Sequence, residues 1–265
     1  MAIFGGILIV IGIILFFVQK NYSTKLQSIR LATSSTVAEL QQIASEIAGE
    51  IGGGNLREYV KVSGVIRSDR PLMSELKQAP CVHYTMRVVR EYEEERTTRD
   101  GDGKTRTETS RGSETVSSNS QSIPFTLQDK SGELVVYPDG GNIETVQILD
   151  EFRRENSGSS ISFGGFSLAI GAGIGGGRRT IGYRYTESIL PCDREVLIIG
   201  TASDDGSQVA LRKPIKSDKK FIISLKSEEE LAKSTANAAK WYFYGMVACL
   251  AIGAILLILG LILRK

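Results

Sequence analysis

Residues 125–136 read FTLQDKSGELVV, and this stretch decides the fold. Apolar and polar side chains alternate on both sides of the turn signal DKSG, and Thr and Val favour extended structure. The stretch therefore predicts two short strands joined by a tight turn. The same alternation occurs in three further segments, which read EYVKVSGVI (58–66), CVHYTMRVV (81–89) and REVLIIGTA (194–202).

These strands predict a mainly β domain, which we place at residues 55–226. Their rhythm around residues 125–136 resembles that of small OB-type barrels, a likeness of fold that carries no function with it. Residues 90–120 are polar, and they hold DGDG at 100–103 between threonine-rich arms. This pattern favours a long, solvated hairpin over disorder, because DG is a hairpin-turn signal and Thr favours strands. The predicted fold is thus a small barrel with a long hairpin.

Both ends of the chain are strongly apolar. Residues 2–18 carry no charge, and as a helix they span about 25 Å, enough to cross a thin hydrocarbon core. The alternative is a cleaved signal peptide, but the segment lacks the basic start and the small-residue cleavage site of one. Residues 241–263 begin with an aromatic cluster and precede Arg264 and Lys265, which is the pattern of a membrane helix. We therefore expect one transmembrane helix at each end of the β domain.

Two polar segments join the spans to the β domain. Residues 19–54 predict a juxtamembrane helix and a linker, with a capping box formed by Thr36 and Glu39. Residues 227–240 predict a short helix that begins at an N-cap, Ser227, and leads into the second span. Two spans place both termini on the same side of a lipid bilayer. The positive-inside rule then puts the domain in the cytoplasm, although the rule applies best to connections shorter than about 60 residues.

The composition argues against several classes of partner. The formal net charge is +2 with 23% charged residues, and the chain has no basic stripe of the kind that binds nucleic acid. IGAGIGGGRR (170–179) contains the G-x-G-x-x-G pattern of dinucleotide loops. However, a strand-like segment follows at the point where such a loop opens a helix. We therefore expect no nucleic acid, no nucleotide and no other cofactor.

The segment around these glycines (160–177) is apolar as well as glycine-rich. We expect a flexible loop that packs on the barrel or touches the membrane surface. Two arginines follow the loop, and their side chains are suited to anionic lipid headgroups. The residues predicted to contact a membrane or a partner are Phe163, Phe166, Leu168, Ile170, Arg178 and Arg179.

Cys81 and His83 lie two residues apart on a predicted strand, which places both on the same face. Such a pair can act as a nucleophile and its base, or it can supply two ligands of a metal site. No third ligand or orienting group is visible nearby, so a buried thiol and a hydrogen-bonded histidine are the favoured interpretation. A disulfide between Cys81 and Cys192 is a further option in an oxidising compartment. The sequence thus predicts no catalytic residue and no metal site.

Four longer motifs follow one another along the chain, at residues 62–89, 122–138, 178–206 and 219–231. They read VSGVIRSDRPLMSELKQAPCVHYTMRVV, SIPFTLQDKSGELVVYP, RRTIGYRYTESILPCDREVLIIGTASDDG and KKFIISLKSEEEL. Together they resemble the GIDE domain, also called BAM for "beside a membrane", of membrane-anchored ubiquitin ligases in mitochondria and chloroplasts and of their prokaryotic relatives. The resemblance covers most of residues 55–232, and the two apolar ends fit it. It implies a domain that binds substrates or partners, whereas in the ligases a RING domain after the second span recruits the ubiquitin-charged enzyme.

Ligase chemistry of that kind depends on zinc. A RING domain holds two zinc ions in four-ligand sites, which takes eight Cys or His residues, and this sequence has three Cys and one His. We therefore expect a membrane-anchored, non-catalytic module that binds another protein or a second copy of itself. The alternative is a component of an E3 ubiquitin-ligase activity that takes its RING domain from a partner in trans.

Overall fold

The computed structural model describes residues 2–99, 105–154, 160–169, 178–204, 208–215 and 218–262. The chain divides into two compact units, and each unit is assembled from separate stretches of the chain. Unit 1 comprises Met1–Val65, Leu127–Ile143 and Glu195–Lys265, and unit 2 comprises Ile66–Thr126 and Glu144–Arg194.

The described residues are mainly in strands, with an apolar helix at each end, as the sequence predicts. The first elements are α1 (Ala2–Leu31), β1 (Thr33–Ser34), α2 (Val37–Ile51), β2 (Arg57–Arg67), β3 (Leu72–Met73), β4 (Pro80–Arg99), β5 (Thr105–Ser122), β6 (Phe125–Gln128), β7 (Glu133–Val136) and β8 (Asn142–Ile143). They are followed by β9 (Val146–Arg153), β10 (Ser160–Phe163), β11 (Phe166–Ala169), β12 (Arg178–Pro191), β13 (Glu195–Asp204), β14 (Val209–Arg212), β15 (Ile222–Ser224) and α3 (Glu228–Ile262).

The centre of unit 1 is a closed five-stranded barrel. Its strands run in the order β2-β6-β7-β14-β13, and antiparallel pairing of β13 with β2 closes the ring. Strands β7 and β14 pair in parallel, with Ala210 opposite Val135. Numbered along the chain, the five strands are arranged 1-2-3-5-4, which is a small Greek-key barrel of the predicted OB type. The two stretches of unit 2 are inserted between the first and second barrel strands and between the third and fourth.

The stretch 125–136 forms β6, a tight turn and β7, and the turn also holds the start of α2. The Asp129 Oδ1 accepts hydrogen bonds from the backbone N–H groups of Ser131 at 2.7 Å and Gly132 at 2.9 Å. Its Oδ2 accepts from the N–H of Val37, the first residue of α2, at 2.9 Å. The first N–H groups of a helix have no partner within the helix, so one carboxylate organises the turn and caps the helix.

Helix α2 begins at the predicted capping box and ends at a glycine. Thr36 and Glu39 form the capping box, and the helix is followed by Gly52, whose φ of 92° is in the left-handed region that favours glycine. One stripe of the helix is buried in unit 1, consisting of Val37, Leu40 and Ala44. The stripe explains why a helix with polar residues on its other faces is stable next to the barrel.

Helices α1 and α3 pack against each other through small and aromatic residues. A Cβ on Gly5 would lie 2.7 Å from the carbonyl oxygen of Gly253, so the two backbones approach closely at this pair. Farther along, the rings of Tyr22 and Tyr242 stack with their centroids 5.2 Å apart. Small residues allow apolar helices to make close contacts of this kind.

Each of these helices continues beyond its apolar segment into the polar residues next to it. Helix α1 ends at Leu31, and α3 begins at Glu228, where Ser227 Oγ accepts from the N–H of Glu230 at 3.3 Å, as expected of the predicted N-cap. The segments Ile3–Leu31 and Glu228–Gly260 are long and apolar enough to cross a membrane, and their large apolar side chains are mostly exposed.

Unit 2 is built on a sheet in the order β3-β4-β12-β9, with β5 also paired to β4. Strands β4 and β5 form the predicted long hairpin, paired from His83 opposite Ser122 to Arg99 opposite Thr105 with one register shift between Val88 and Val89. The predicted turn at 100–103 lies outside the described residues. One face of the sheet covers an apolar core, which includes Tyr84, Met86, Val88, Leu149, Tyr183 and Tyr185.

Residues 160–169 form a second hairpin in unit 2, where the sequence analysis predicted a loop. Strands β10 and β11 pair with Phe163 opposite Phe166, and Gly164 in the turn has a φ of 55°. A Cβ on Gly164 would lie 1.8 Å from the carbonyl oxygen of Leu76, so only glycine fits. The loop prediction was wrong because SISF and FSLA each alternate as strands do, and the two glycines between them form a turn.

Candidate functional site

The predicted thiol–imidazole pair lies within unit 2. The Cys81 side chain is buried, and burial, together with the nearby Cys192 and Glu187, raises the pKa of its thiol to about 11. Burial also lowers the pKa of His83. At neutral pH both groups are therefore uncharged, whereas a cysteine nucleophile reacts as the thiolate. Cys81 is thus a buried, protonated thiol next to a neutral histidine.

The partner of His83 is a serine that the sequence analysis missed. The His83 Nδ1 lies 2.7 Å from Ser122 Oγ, across the paired strands β4 and β5. A catalytic serine–histidine pair also needs a group that orients the imidazole, usually a carboxylate. Here the further hydrogen bond of His83 is to the backbone of Gln121. The pair therefore joins the two strands of the hairpin.

The remaining cysteines are free thiols as well. Cys192 follows Pro191, which is paired with Cys81 across β12 and β4. Burial, together with the adjacent Asp193, raises the pKa of Cys192. Both thiols of unit 2 are thus protonated at neutral pH, which is the less nucleophilic form of a cysteine.

Glu187 is a buried carboxylate that the sequence analysis also missed. Its side chain accepts hydrogen bonds from Ser74 Oγ at 2.9 Å, from the N–H of Leu76 at 2.7 Å and from the N–H of Lys77 at 2.8 Å. Ser74 Oγ in turn accepts from the N–H of Ala79 at 3.0 Å. The carboxylate thus holds the turn 74–79 together. Its one signal in the sequence is a charged residue at a core position of the alternating β12 strand.

The predicted contact phenylalanines lie in the core of unit 2. Phe163 and Phe166 are 8% and 6% exposed, and the ring centroids of Phe163 and Tyr185 are 4.8 Å apart. Leu168 packs against the same core. Ile170 lies outside the described residues. The sequence led us to expect that this segment either packs on the domain or touches the membrane surface. The two phenylalanines pack on the domain, and their burial leaves no ring face for a membrane.

A buried arginine lies near one end of the same sheet. The Arg90 guanidinium donates to Thr180 Oγ1 at 2.8 Å, to Glu114 at 2.9 Å and to the carbonyl oxygen of Arg178 at 3.2 Å. These partners lie on β12 and β5, the two strands that pair with β4 on either side of Arg90. Arg90 therefore fastens β4 to both β5 and β12.

The two arginines that were predicted to contact a membrane or a partner, Arg178 and Arg179, differ in their surroundings. The Arg178 guanidinium lies over the ring of Tyr92, 4.7 Å from its centroid, and its nitrogens lie 3.6 Å from Glu94 and 3.7 Å from Glu114. Arg179 is exposed. Arg178 is thus engaged by the hairpin, and Arg179 presents its charge to the surroundings.

The face of the unit 2 sheet that points away from the apolar core carries a shallow polar cavity of about 530 Å³. Five hydroxyl side chains surround one exposed arginine, and we call this surface the hydroxyl face. It consists of Thr85, Arg87, Ser118, Ser120, Thr186 and Ser188. The strand register brings these residues together, because Ser118 and Thr186 flank Arg87 while Ser120 and Ser188 flank Thr85. The hydroxyl face can hydrogen-bond to a polar ligand and attract an acidic one.

Strand β5 forms one border of the hydroxyl face. It pairs with β4 along its whole length, and no other described strand pairs with its outer edge. Charged side chains and Pro protect strand edges. The charged residues of β5 all lie before residue 117, and they are Arg106, Glu108, Arg111 and Glu114. The segment 117–122 of β5 is therefore uncharged.

The comparisons with known proteins identify a family. The family model described as "GIDE: E3 Ubiquitin ligase" matches residues 93–260, which is more than half of the chain. The chain belongs to the GIDE family. Searches of the curated proteins and of the solved structures found no significant match.

The GIDE match begins within β4 and ends within α3. It includes β5, most of the barrel and the second apolar helix. The motif at 62–89, with Cys81 and His83, precedes it. Among the residues that the structure describes, no group of three or more His, Cys, Asp or Glu side chains is arranged to hold a metal ion.

Proposed function

We propose that this GIDE protein is a membrane-anchored, non-catalytic module that binds an extended segment of a partner protein. The segment adds as a strand to the outer edge of β5. The observation that carries this proposal is the uncharged edge segment 117–122 of β5, next to the hydroxyl face. An unpaired strand edge presents a row of backbone N–H and C=O groups, which an extended peptide can satisfy.

The two edges of the sheet differ, and the difference selects β5. At the other edge, β9 carries Asp150, Glu151 and Arg153 within eight residues, and all three form ion pairs. Charged side chains of this kind protect an edge from pairing. The uncharged segment 117–122 of β5 offers backbone groups without that protection.

Arg87 indicates the chemistry of the partner. It is exposed on β4, one strand in from the edge, and Ser118 stands between it and the edge. Because Ser118 is small, the long arginine side chain can extend over it toward an added strand. A charge-assisted pair with a carboxylate is stronger than a neutral hydrogen bond. We therefore infer a partner segment that carries an acidic side chain.

Helices α1 and α3 supply the anchor in this proposal. Both cross the bilayer, which places the two termini on the same side. Support comes from their exposed apolar side chains and from the close contact at Gly5 and Gly253. The basic residues next to the domain ends of the spans favour a cytoplasmic domain. Self-association remains within the proposal, because a second copy can supply the added strand.

Photocrosslinking at the two edges tests the proposal. Gln121 on β5 and Gln147 on β9 are both exposed glutamines on edge strands of one sheet, so they form a matched pair. A photoreactive residue is placed at either position in the full chain within its native membranes. We expect a crosslinked partner from position 121, and slower amide hydrogen exchange at 117–122 in the purified complex. Equal crosslinking from both positions, or unchanged exchange at 117–122, would contradict strand addition at β5.

The family description favours a second candidate function. In this alternative the protein is part of an E3 ubiquitin-ligase activity and takes its RING domain from a partner in trans. A ubiquitin-transfer assay with the full chain, with and without a co-purified RING protein, separates the two. Transfer that requires both proteins, and that the Arg87→Gln variant reduces, would make the β5 edge the recruiting site of a ligase.

A further inference from the structure

Unit 1 contains a basic cavity that the proposed function does not use. It has a volume of about 550 Å³, and we call it the lysine pocket. Its walls come from α1, from the turn at 140–142 and from the loop that joins β14 to β15. The lysines that line it are Lys25, Lys213, Lys219 and Lys220, and the described lining includes no acidic side chain.

The turn at one wall brings the first of these lysines into place. The N–H of Gly141 donates to the carbonyl oxygen of Pro138 at 3.0 Å, and Gly140 has a φ of 68°, which a Pro-Asp-Gly-Gly turn supplies. A Cβ on Gly140 would lie 2.9 Å from Cδ and Nζ of Lys213. The Lys213 side chain therefore lies directly across the turn.

The other wall is fastened to α1. The N–H of Lys220 donates to Ser28 Oγ at 3.1 Å, which ties the end of the loop to the helix. The Lys219 ammonium lies over the ring of Tyr59, 4.7 Å from its centroid. Burial raises the pKa of the Tyr59 hydroxyl, and the nearby Asp218 adds to the increase. Asp139, in the turn at the other wall, is a second acidic residue close to the pocket. The backbone of Lys220 is thus tied to α1, with Lys219 next to it.

The position along α1 places the pocket just beyond the level of the lipid headgroups. Lys25 lies seven residues beyond Val18, the end of the apolar segment, which is about 10 Å along a helix axis. The headgroup region adds about 5–8 Å to each side of the hydrocarbon core. Lysine side chains are long enough to reach back across the remaining distance.

One apolar side chain at the pocket has no place in the core. Ile215 is 91% exposed, next to the buried Pro214 and close to Lys213. A single exposed aliphatic residue is ordinary on a protein surface. Here, however, Ile215 lies beside a basic pocket near the end of an apolar helix. Apolar and basic side chains in such an arrangement are typical of segments that insert between lipid headgroups.

We propose that the lysine pocket binds the headgroup of an anionic phospholipid in the adjacent leaflet, with Ile215 inserted among the lipids. The lysines neutralise the phosphate, and the apolar contact distinguishes a lipid from a soluble phosphate. The inference rests on the proposed membrane anchoring. The sequence led us to expect headgroup contacts from Arg178 and Arg179. The proposed site is built from other residues.

The test uses the full chain in phosphatidylcholine nanodiscs, with and without phosphatidylglycerol, and measures the lipid that stays bound by native mass spectrometry. The Lys213→Gln/Lys220→Gln variant removes two pocket charges, and Lys77→Gln/Lys130→Gln removes two exposed charges outside the pocket. We expect the wild type and the control to retain phosphatidylglycerol. The pocket variant is expected to retain at most about one fifth of the wild-type amount. Ile215→Ser, which changes no charge, is expected to give a smaller loss. An unchanged melting temperature shows that each variant is folded.

Three outcomes overturn the inference, and they are distinguishable. Equal retention by the pocket variant and the control, in chains that enter the nanodiscs, contradicts the pocket and leaves the anchoring intact. Complete displacement of the lipid by inorganic phosphate assigns the pocket to a soluble anion. Failure of the full chain to enter nanodiscs of either composition contradicts the anchoring itself.

Discussion

Asp129 in unit 1 and Glu187 in unit 2 are carboxylates with the same task. Each accepts hydrogen bonds from two or more backbone N–H groups and thereby holds a turn in place. They differ in exposure and in the source of their partners. Asp129 is half-buried, and two of its donors are Ser131 and Gly132 of its own turn. Glu187 is 1% exposed, and its donors lie 110 to 113 residues earlier in the chain.

This difference has an energetic consequence. Water can replace a lost partner at a half-buried turn, whereas it has little access to a fully buried one. The protein therefore relies on Glu187 for more of its stability than on Asp129, although both make a similar number of hydrogen bonds. Substitutions at the two sites measure the difference.

The largest effect is expected from Glu187→Ala. The change leaves the Ser74 hydroxyl and the N–H groups of Leu76 and Lys77 without their acceptor in a buried site. We expect a loss of about 3 kcal/mol or more in the free energy of opening at residues 74–79. Hydrogen exchange of the full chain in detergent, resolved by peptide, measures it. Glu187→Gln is the matched control, because it keeps one acceptor oxygen and is expected to lose less. A loss below that of Asp129→Ala would reverse the comparison.

A smaller effect is expected from Asp129→Ala. The change removes the acceptor for the N–H of Val37 and opens the turn between β6 and β7. Loss of a helix cap costs about 1–2 kcal/mol, and we expect this amount at the first turn of α2 by the same exchange measurement. Asp129→Asn keeps an acceptor oxygen and serves as the control. A full loss in Asp129→Asn would mean that both carboxylate oxygens, which accept from different partners, are needed for the stabilisation.

The same comparison explains what the sequence could predict. The DKSG turn, the capping box at Thr36 and the barrel strands are local patterns, since each depends on residues within one short stretch. Glu187 and the lysine pocket depend on pairings between distant stretches, which a single sequence does not reveal. The hairpin at 160–169 is an intermediate case. Its alternation was present in the sequence, but the many glycines that follow made the whole segment resemble a loop.

The smallest expected effect is a pH dependence of the stability at the start of α2, caused by the titration of Asp129. Burial raises the pKa of this carboxyl, but the hydrogen bonds from Val37, Ser131 and Gly132 outweigh burial and hold the pKa below its usual value. The carboxylate is thus easier to protonate in the unfolded chain, where its pKa is about 3.9.

Its stabilising contribution is therefore complete above the unfolded pKa and is lost as the pH falls through the lower pKa of the folded protein. We expect opening at the start of α2 to become easier as the pH falls from about 5 through the pKa of the folded protein. The difference between the wild type and Asp129→Asn isolates this carboxyl from the other acids, because both chains share all other titrating groups. The two stability profiles should converge as the pH falls. Parallel profiles would show that the half-buried turn, like the buried one, depends on its hydrogen bonds and not on its charge.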